Sequence, residues 1–167
     1  LLDPAASLRE PGMRASHVFL ADIPAYPKLL AITDAAVNIA PDLMAKAAIL
    51  QNVIDFMTLI GIKKPKTAVL SAVETVNPLI ASSLDAAALS VMAQRGQVHG
   101  GIVDGPLAFD NAISLKAAEI KGISSAVAGD ADILLVPDLV SGNILAKNLE
   151  YMADAMLAGL VLGLRAP

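Results

Sequence analysis

Cysteine and tryptophan are absent from this 167-residue chain, aromatics make up only 3% of it and charged residues only 17%. Without cysteine there is no disulfide scaffold and no cysteine-ligated metal or iron–sulfur centre. His17 and His99 stand alone, so no histidine cluster offers a metal site. Long apolar runs are missing too. No stretch between successive charged side chains exceeds ten residues, as between Glu74 and Asp85, whereas a membrane-crossing helix needs ~18. Basic residues are in deficit: a net charge of −4 and a pI near 5.0 argue against non-specific nucleic-acid binding, which relies on clustered Lys and Arg. The one local basic cluster, Lys63, Lys64 and Lys66, reads as a solvated helix-to-strand turn. Leu1 to Arg14 lacks a basic stretch followed by a long apolar run, so no signal peptide is visible and a cytoplasmic location is expected. Neither Gly-x-Gly-x-x-Gly after a strand, nor the phosphate-loop pattern, nor a Gly-x-Ser-x-Gly elbow occurs.

What is present is aliphatic. Hydrophobic residues reach 56%, and 31 positions are alanine. So much apolar surface excludes a disordered chain, and the length fits one domain with a core of small and branched side chains. Residues 1–14 read as a linker or cut end, and 15–167 as a single domain. His17–Ala21 and Leu29–Thr33 flank Pro24 and Pro27, which predicts an antiparallel hairpin. A helix follows, with Pro41 at its first position, Asp42 at its positive end and Gly61 as its stop. Strand Thr67–Leu70 leads through a polar loop to a helix capped near Ser83 and ended by Gly96. Strand Ile102–Val103, a helix from Phe109 to Ile120, strand Ile133–Val136, a helix Ser141–Met152 and strand Leu160–Leu162 complete the chain. This alternation implies an α/β layered domain with a mixed, largely parallel sheet flanked by helices. The methionines read as core filler.

In open α/β sheets, ligands gather at the carboxyl ends of strands. Polar clusters occupy those places: Thr33-Asp34 to Asn38, Glu74 to Pro78, Asp104-Gly105-Pro106 with Asp110, and Pro137-Asp138 with Ser141-Gly142-Asn143. Each also has a plain structural reading. Asp104-Gly105-Pro106 reads equally as a turn into a helix, and Asp110 as a first-turn carboxylate facing the helix dipole. Ser141-Gly142-Asn143 reads as an ordinary cap, Lys147 as a solvated lysine, and His17 as a structural histidine.

Four blocks carry a resemblance when taken in order. They are Thr33-Asp34-Ala35-Ala36-Val37-Asn38-Ile39-Ala40-Pro41, Ser71-Ala72-Val73-Glu74-Thr75-Val76-Asn77-Pro78, and Val103-Asp104-Gly105-Pro106-Leu107-Ala108-Phe109-Asp110-Asn111-Ala112. The fourth runs from Ala128-Gly129-Asp130 through Val136-Pro137-Asp138 to Ser141-Gly142-Asn143-Ile144-Leu145. Together they resemble the phosphate acetyltransferase/phosphate butyryltransferase family. Ser16-His17-Val18-Phe19 with Ile32-Thr33-Asp34 looks most like its variant fused to an enoyl-CoA hydratase domain.

The resemblance implies one lobe, the second, of an isocitrate/isopropylmalate dehydrogenase-like fold. It implies reversible acyl transfer between acyl-CoA and phosphate, coenzyme A as a substrate with no tightly bound cofactor, and a homodimer. It also implies that a catalytic Ser-Arg segment lies beyond Pro167 and further arginines in a preceding lobe, so this chain alone is expected to be inactive. On that reading Asp104, Asp110, Asp138, Gly142, Asn143 and Lys147 are the substrate-binding candidates. A non-catalytic dimerisation or docking module is the competing reading. A metal-dependent dehydrogenase of the same fold is weaker, because it needs clustered carboxylates and a nucleotide loop.

Overall fold

Among the described residues, the aliphatic runs expected as strands all join one six-stranded sheet. The computed structural model describes residues 13–164. Strands β1 (Ser16–Asp22) and β2 (Leu30–Thr33) form the expected antiparallel hairpin, with Val18 opposite Thr33. Helix α1 (Leu43–Leu59) follows, then β3 (Lys66–Leu70), α2 (Ala81–Gln94) and β4 (Ile102–Leu107). Short helices α3 (Phe109–Ile113) and α4 (Leu115–Ile120) precede β5 (Ile133–Leu135), α5 (Leu139–Met152) and β6 (Met156–Leu162). The strand order is β4-β3-β5-β2-β1-β6. Strands β4, β3, β5 and β2 are parallel, and β1 runs against both of its neighbours, so it alone points the other way.

The two sheet faces bury separate aliphatic layers. On one, Ile49, Leu50 and Ile54 of α1 and Leu89 of α2 pack on Val69, Ile133 and Leu135. On the other, Ala112 of α3, Ala118 of α4 and Leu149 of α5 pack on Ile32, Ala68 and Leu134. Each fully buried Leu or Ile contributes about 1.5–3 kcal/mol. The central β5 is covered on both faces, which is why it reads as an unbroken aliphatic run rather than an alternation.

Several boundaries differ from the sequence expectation. Asp42, not Pro41, borders α1: it is the N-cap, and its Oδ1 accepts from Ala45 N at 2.8 Å. Helix α2 starts at Ala81, and Ser83 is buried in its first turn, where its hydroxyl meets the Asn77 and Ile80 carbonyls. The strand at Ile102–Val103 runs on to Leu107, so Asp104-Gly105-Pro106 is sheet rather than loop. Pro106 is tolerated because β4 is an edge strand. The helix expected over Phe109–Ile120 breaks at Ser114, whose side chain caps α4 by accepting from Ala117 N. Asp138 rather than Ser141 caps α5. Of the methionines, Met57 and Met92 are core, while Met44, Met152 and Met156 are exposed. The 1–14 segment lies outside the described residues apart from Met13 and Arg14, and Arg14 is tied down by hydrogen bonds to Asn38 and Asn52.

Candidate active site

Strands β3 and β5 are neighbours, yet their chains leave for opposite faces of the sheet, β3 toward α2 and β5 toward α5. Such a divergence opens a crevice at the carboxyl ends of the strands. A cavity of about 350 Å³ sits there, lined by Leu70, Ser71 and Ala72 after β3, Ser82 of α2, Phe109 of α3, Val136 and Pro137 after β5, and Ser141 and Leu145 of α5. None of these lining residues is charged. The Ser71 and Ser82 hydroxyls are 2.9 Å apart, and the Ser141 hydroxyl donates to the Asp138 carbonyl at 3.1 Å.

The carboxylates and lysines of this end of the sheet form a rim around the crevice. Lys121 at the end of α4 pairs with Glu74 from the loop after β3 and, at 3.1 Å, with Asp110 of α3. Hydrogen bonding to Lys121 holds both carboxyl groups below the usual carboxylate range and raises the ammonium. Asn111, fully buried, donates to Glu74 Oε1 at 2.6 Å. The lysine thus fastens the Glu74 loop to the short helices α3 and α4 that follow β4. Asp104 lies lower, half-buried within β4, where its Oδ1 accepts from Gly105 N at 2.9 Å.

The remaining candidates are strung along α5. Asp138 Oδ1 accepts from Ser141 N at 2.9 Å and its carbonyl from Gly142 N at 3.1 Å. Gly142 is buried where α5 approaches the turn after β2: a Cβ there would meet Val136 at 2.7 Å and Ala35 at 3.1 Å. Asn143 and Lys147 are exposed and line a separate shallow groove with Ile144, Asn148, Tyr151 and Met152. Lys147 is occupied locally, 2.8 Å from Glu150 and 5.6 Å over the Tyr151 ring, and the Glu150 carboxylate raises its pKa.

The six candidates therefore fall into two groups, Asp104 and Asp110 beside β4 and Asp138, Gly142, Asn143 and Lys147 on α5. None of them lines the crevice between. The residues that do, above all Ser71, Ser82, Phe109, Ser141 and Leu145, carry little signal of their own, because hydroxyl and apolar groups at loop edges are common. Ser71 was visible only as the residue that opens the second block, and Ser141 only as a helix cap within the fourth. The Thr33–Asn38 cluster is structural. Asp34, only 3% exposed, accepts from the backbone N–H of His17, Ala36, Val37 and Asn38 and from Asn38 Nδ2. Its carboxylate is used up in shaping the turn after β2. Among the described residues, no group of three or more His, Asp or Glu is placed to hold a metal ion.

Fold and crevice together define a layered α/β domain with an uncharged slot at the carboxyl ends of parallel strands. Residues 7–167 match the family model described as phosphate acetyl/butaryl transferase, and the chain belongs to that family. It is 59% identical over 154 residues to a phosphate acetyltransferase of Rhizobium meliloti, which covers 92% of this chain and 49% of that protein. A probable phosphate butyryltransferase of Bacillus subtilis is 50% identical over 163 residues, covering 95% of this chain and 54% of that one. The crystal structure of a branched-chain phosphotransacylase from Enterococcus faecalis V583 superposes with a TM-score of 0.90 at 34% identity, covering 99% of this chain and 59% of that one. The chain thus spans about half the length of these relatives.

Proposed function

We propose that this chain is one lobe of a phosphate acyltransferase that converts acyl-CoA and phosphate reversibly into acyl phosphate and coenzyme A, with acetyl or butyryl as the acyl group. The match of the family model to residues 7–167 carries the reading. The uncharged crevice between β3 and β5 supports it, because the acyl-thioester end of acyl-CoA carries no charge. A phosphate oxygen adds to the thioester carbonyl carbon to form the C–O bond, the adduct then collapses with cleavage of the C–S bond, and the proton given up by phosphate ends on the departing thiolate. The intermediate is a tetrahedral oxyanion, which needs hydrogen-bond donors, while the phosphate needs cations.

This lobe would supply the acyl wall of the site. Asp138 positions the start of α5, and with it the Ser141 hydroxyl at the mouth of the crevice. Gly142 lets that helix close on the β2 turn. Asn143 and Lys147 stand further along the same helix as groups for the polar parts of coenzyme A. Asp110, through Lys121, holds the Glu74 loop that forms the rim, and Asp104 supports it from within β4. No residue of this chain is assigned as the catalytic base or as the cation for phosphate, so the lobe by itself is expected to be inactive. The reading extends to the isocitrate/isopropylmalate dehydrogenase-like fold, a homodimer, coenzyme A as a substrate with no tightly held cofactor, and a cytoplasmic setting. The test is a coupled assay of the full-length protein with acetyl-CoA or butyryl-CoA and phosphate, which should release free thiol in step with acyl phosphate. Acyl phosphate from none of the common acyl-CoA esters would sink the proposal.

One observation favours a second reading, a docking or dimerisation module without chemistry of its own. Large apolar side chains outside the crevice lining are exposed at the ends of α1, α5 and α4: Leu59 at 84%, Met152 at 82% and Ile120 at 77%.

A further inference from the structure

We infer that Phe109 closes the far end of the acyl slot and so sets the acyl-chain length this site accepts. The inference rests on the phosphate acyltransferase reading and names the part of the substrate that the crevice takes. Its floor is aliphatic and aromatic, from Leu70, Phe109, Val136 and Leu145, and its only polar side chains are the three serine hydroxyls. Phosphate would be held there by no cation, whereas an aliphatic tail would lose nothing by desolvation and gain buried contact with every methylene.

A second cavity, of about 520 Å³, lies on the α3–α5 face of the sheet and is lined by Tyr26, Leu30, Phe109, Ile113 and Leu149 among others. Phe109 is the residue common to both cavities. Leu145 and Leu149, one helical turn apart on α5, line one cavity each, so the two voids are stacked along that helix. Phe109, half-buried at the first position of α3, thus contributes to the walls of both. With the ring in place the slot is short. Without it the slot continues into an apolar space larger than itself, and longer chains gain a place to go.

Three variants of the full-length protein test this with acetyl-CoA, butyryl-CoA and hexanoyl-CoA as substrates. Phe109→Ala joins the cavities and should raise the hexanoyl-to-butyryl ratio of kcat/KM by about 10-fold or more, since a pair of methylenes in an apolar pocket is worth that much. Phe109→Leu keeps the fold's packing more closely and should shift the ratio in the same direction by less. Ala72→Leu, at an exposed position on the crevice wall, fills the slot instead and should lower the butyryl-to-acetyl ratio by about 10-fold. Ratios taken on one preparation cancel the fraction of folded enzyme, so a merely destabilised variant leaves them unchanged. If the unaltered protein makes acyl phosphate and all three variants keep its ratios within about twofold, against the difference expected for a methylene pair, the assignment of Phe109 fails while the acyltransferase reading stands. If the unaltered protein makes no acyl phosphate at all, both fall.

Discussion

Gly142 and His17 show how single side chains are constrained by what the sheet presses against them. At Gly142 a methyl group would stand 2.7 Å from Val136 Cγ2 and 3.2 Å from Ala35 Cα, inside van der Waals contact on two sides. Gly142→Ala should therefore cost about 1–3 kcal/mol through overpacking, read as a lowered urea midpoint with an unchanged m-value. His17 sits in β1 at 9% exposure, its Nδ1 without a partner and its ring edge-on to Phe19 at 4.3 Å. Burial lowers its pKa from the ordinary 6.5, and the nearby Asp34 charge offsets only part of that. The unfolded chain takes up this proton more readily than the folded one, so stability is full above pH 6.5 and falls as the pH drops below it. Thermal melts between pH 7 and 5 should show that loss, and His17→Gln should flatten the His17 part of the slope. An unchanged slope in the variant would place its origin elsewhere.

Between elements, ion pairs do what the small aliphatic core cannot. Lys46 of α1, 6% exposed, meets Asp85 of α2 at 2.7 Å, and this pair joins the two helices on one face of the sheet. Removing one partner strands the other: Asp85→Ala should cost about 3 kcal/mol, whereas the double change Lys46→Met with Asp85→Leu should cost far less. Chemical denaturation of the two variants side by side checks this. At the opposite end of the strands from the crevice, Lys28 and Lys66 converge on Asp130, and hydrogen bonds from Lys28 and then Lys66 hold its carboxyl below its ordinary range. Around the crevice, Lys121 is the exposed fastener of the Glu74 loop, and exposed pairs contribute little to global stability. Lys121→Met should accordingly leave the unfolding midpoint nearly unchanged while amide exchange in residues 71–80 speeds up. Equal protection in that loop would show that the ion pairs do not hold it.

For the whole molecule, the open question is what covers the apolar surface. Leu79, Ile120, Tyr151 and Met152 are all more than 70% exposed. Among the described residues, strand β6 pairs with β1 on one side only, and its sequence from Met156 to Leu162 carries neither charge nor proline. An unguarded strand edge of that kind invites pairing with another chain. The chain should therefore self-associate with rising concentration in sedimentation equilibrium. A strict monomer at every concentration would count against both the homodimer and the docking module.

The strands and the hairpin were legible in the amino-acid sequence, because aliphatic runs and turn residues act locally. Family membership was legible too, since four polar blocks in fixed order are carried by the sequence itself. Element boundaries were less so: Gly105 and Pro106 read as a turn, and only the position of β4 at the sheet edge makes them strand. The candidate site was the least legible. Polar side chains such as Asp110 and Lys147 are conspicuous in a sequence but here pair with neighbouring charges outside the slot. The slot itself is made of Ser71, Ser82, Phe109 and Leu145, drawn from four separate segments. Sequence determined which runs bury themselves, because hydrophobic burial is a property of each run. Tertiary structure decided where two neighbouring strands part, because a cavity is a property of the space between elements and of no residue alone.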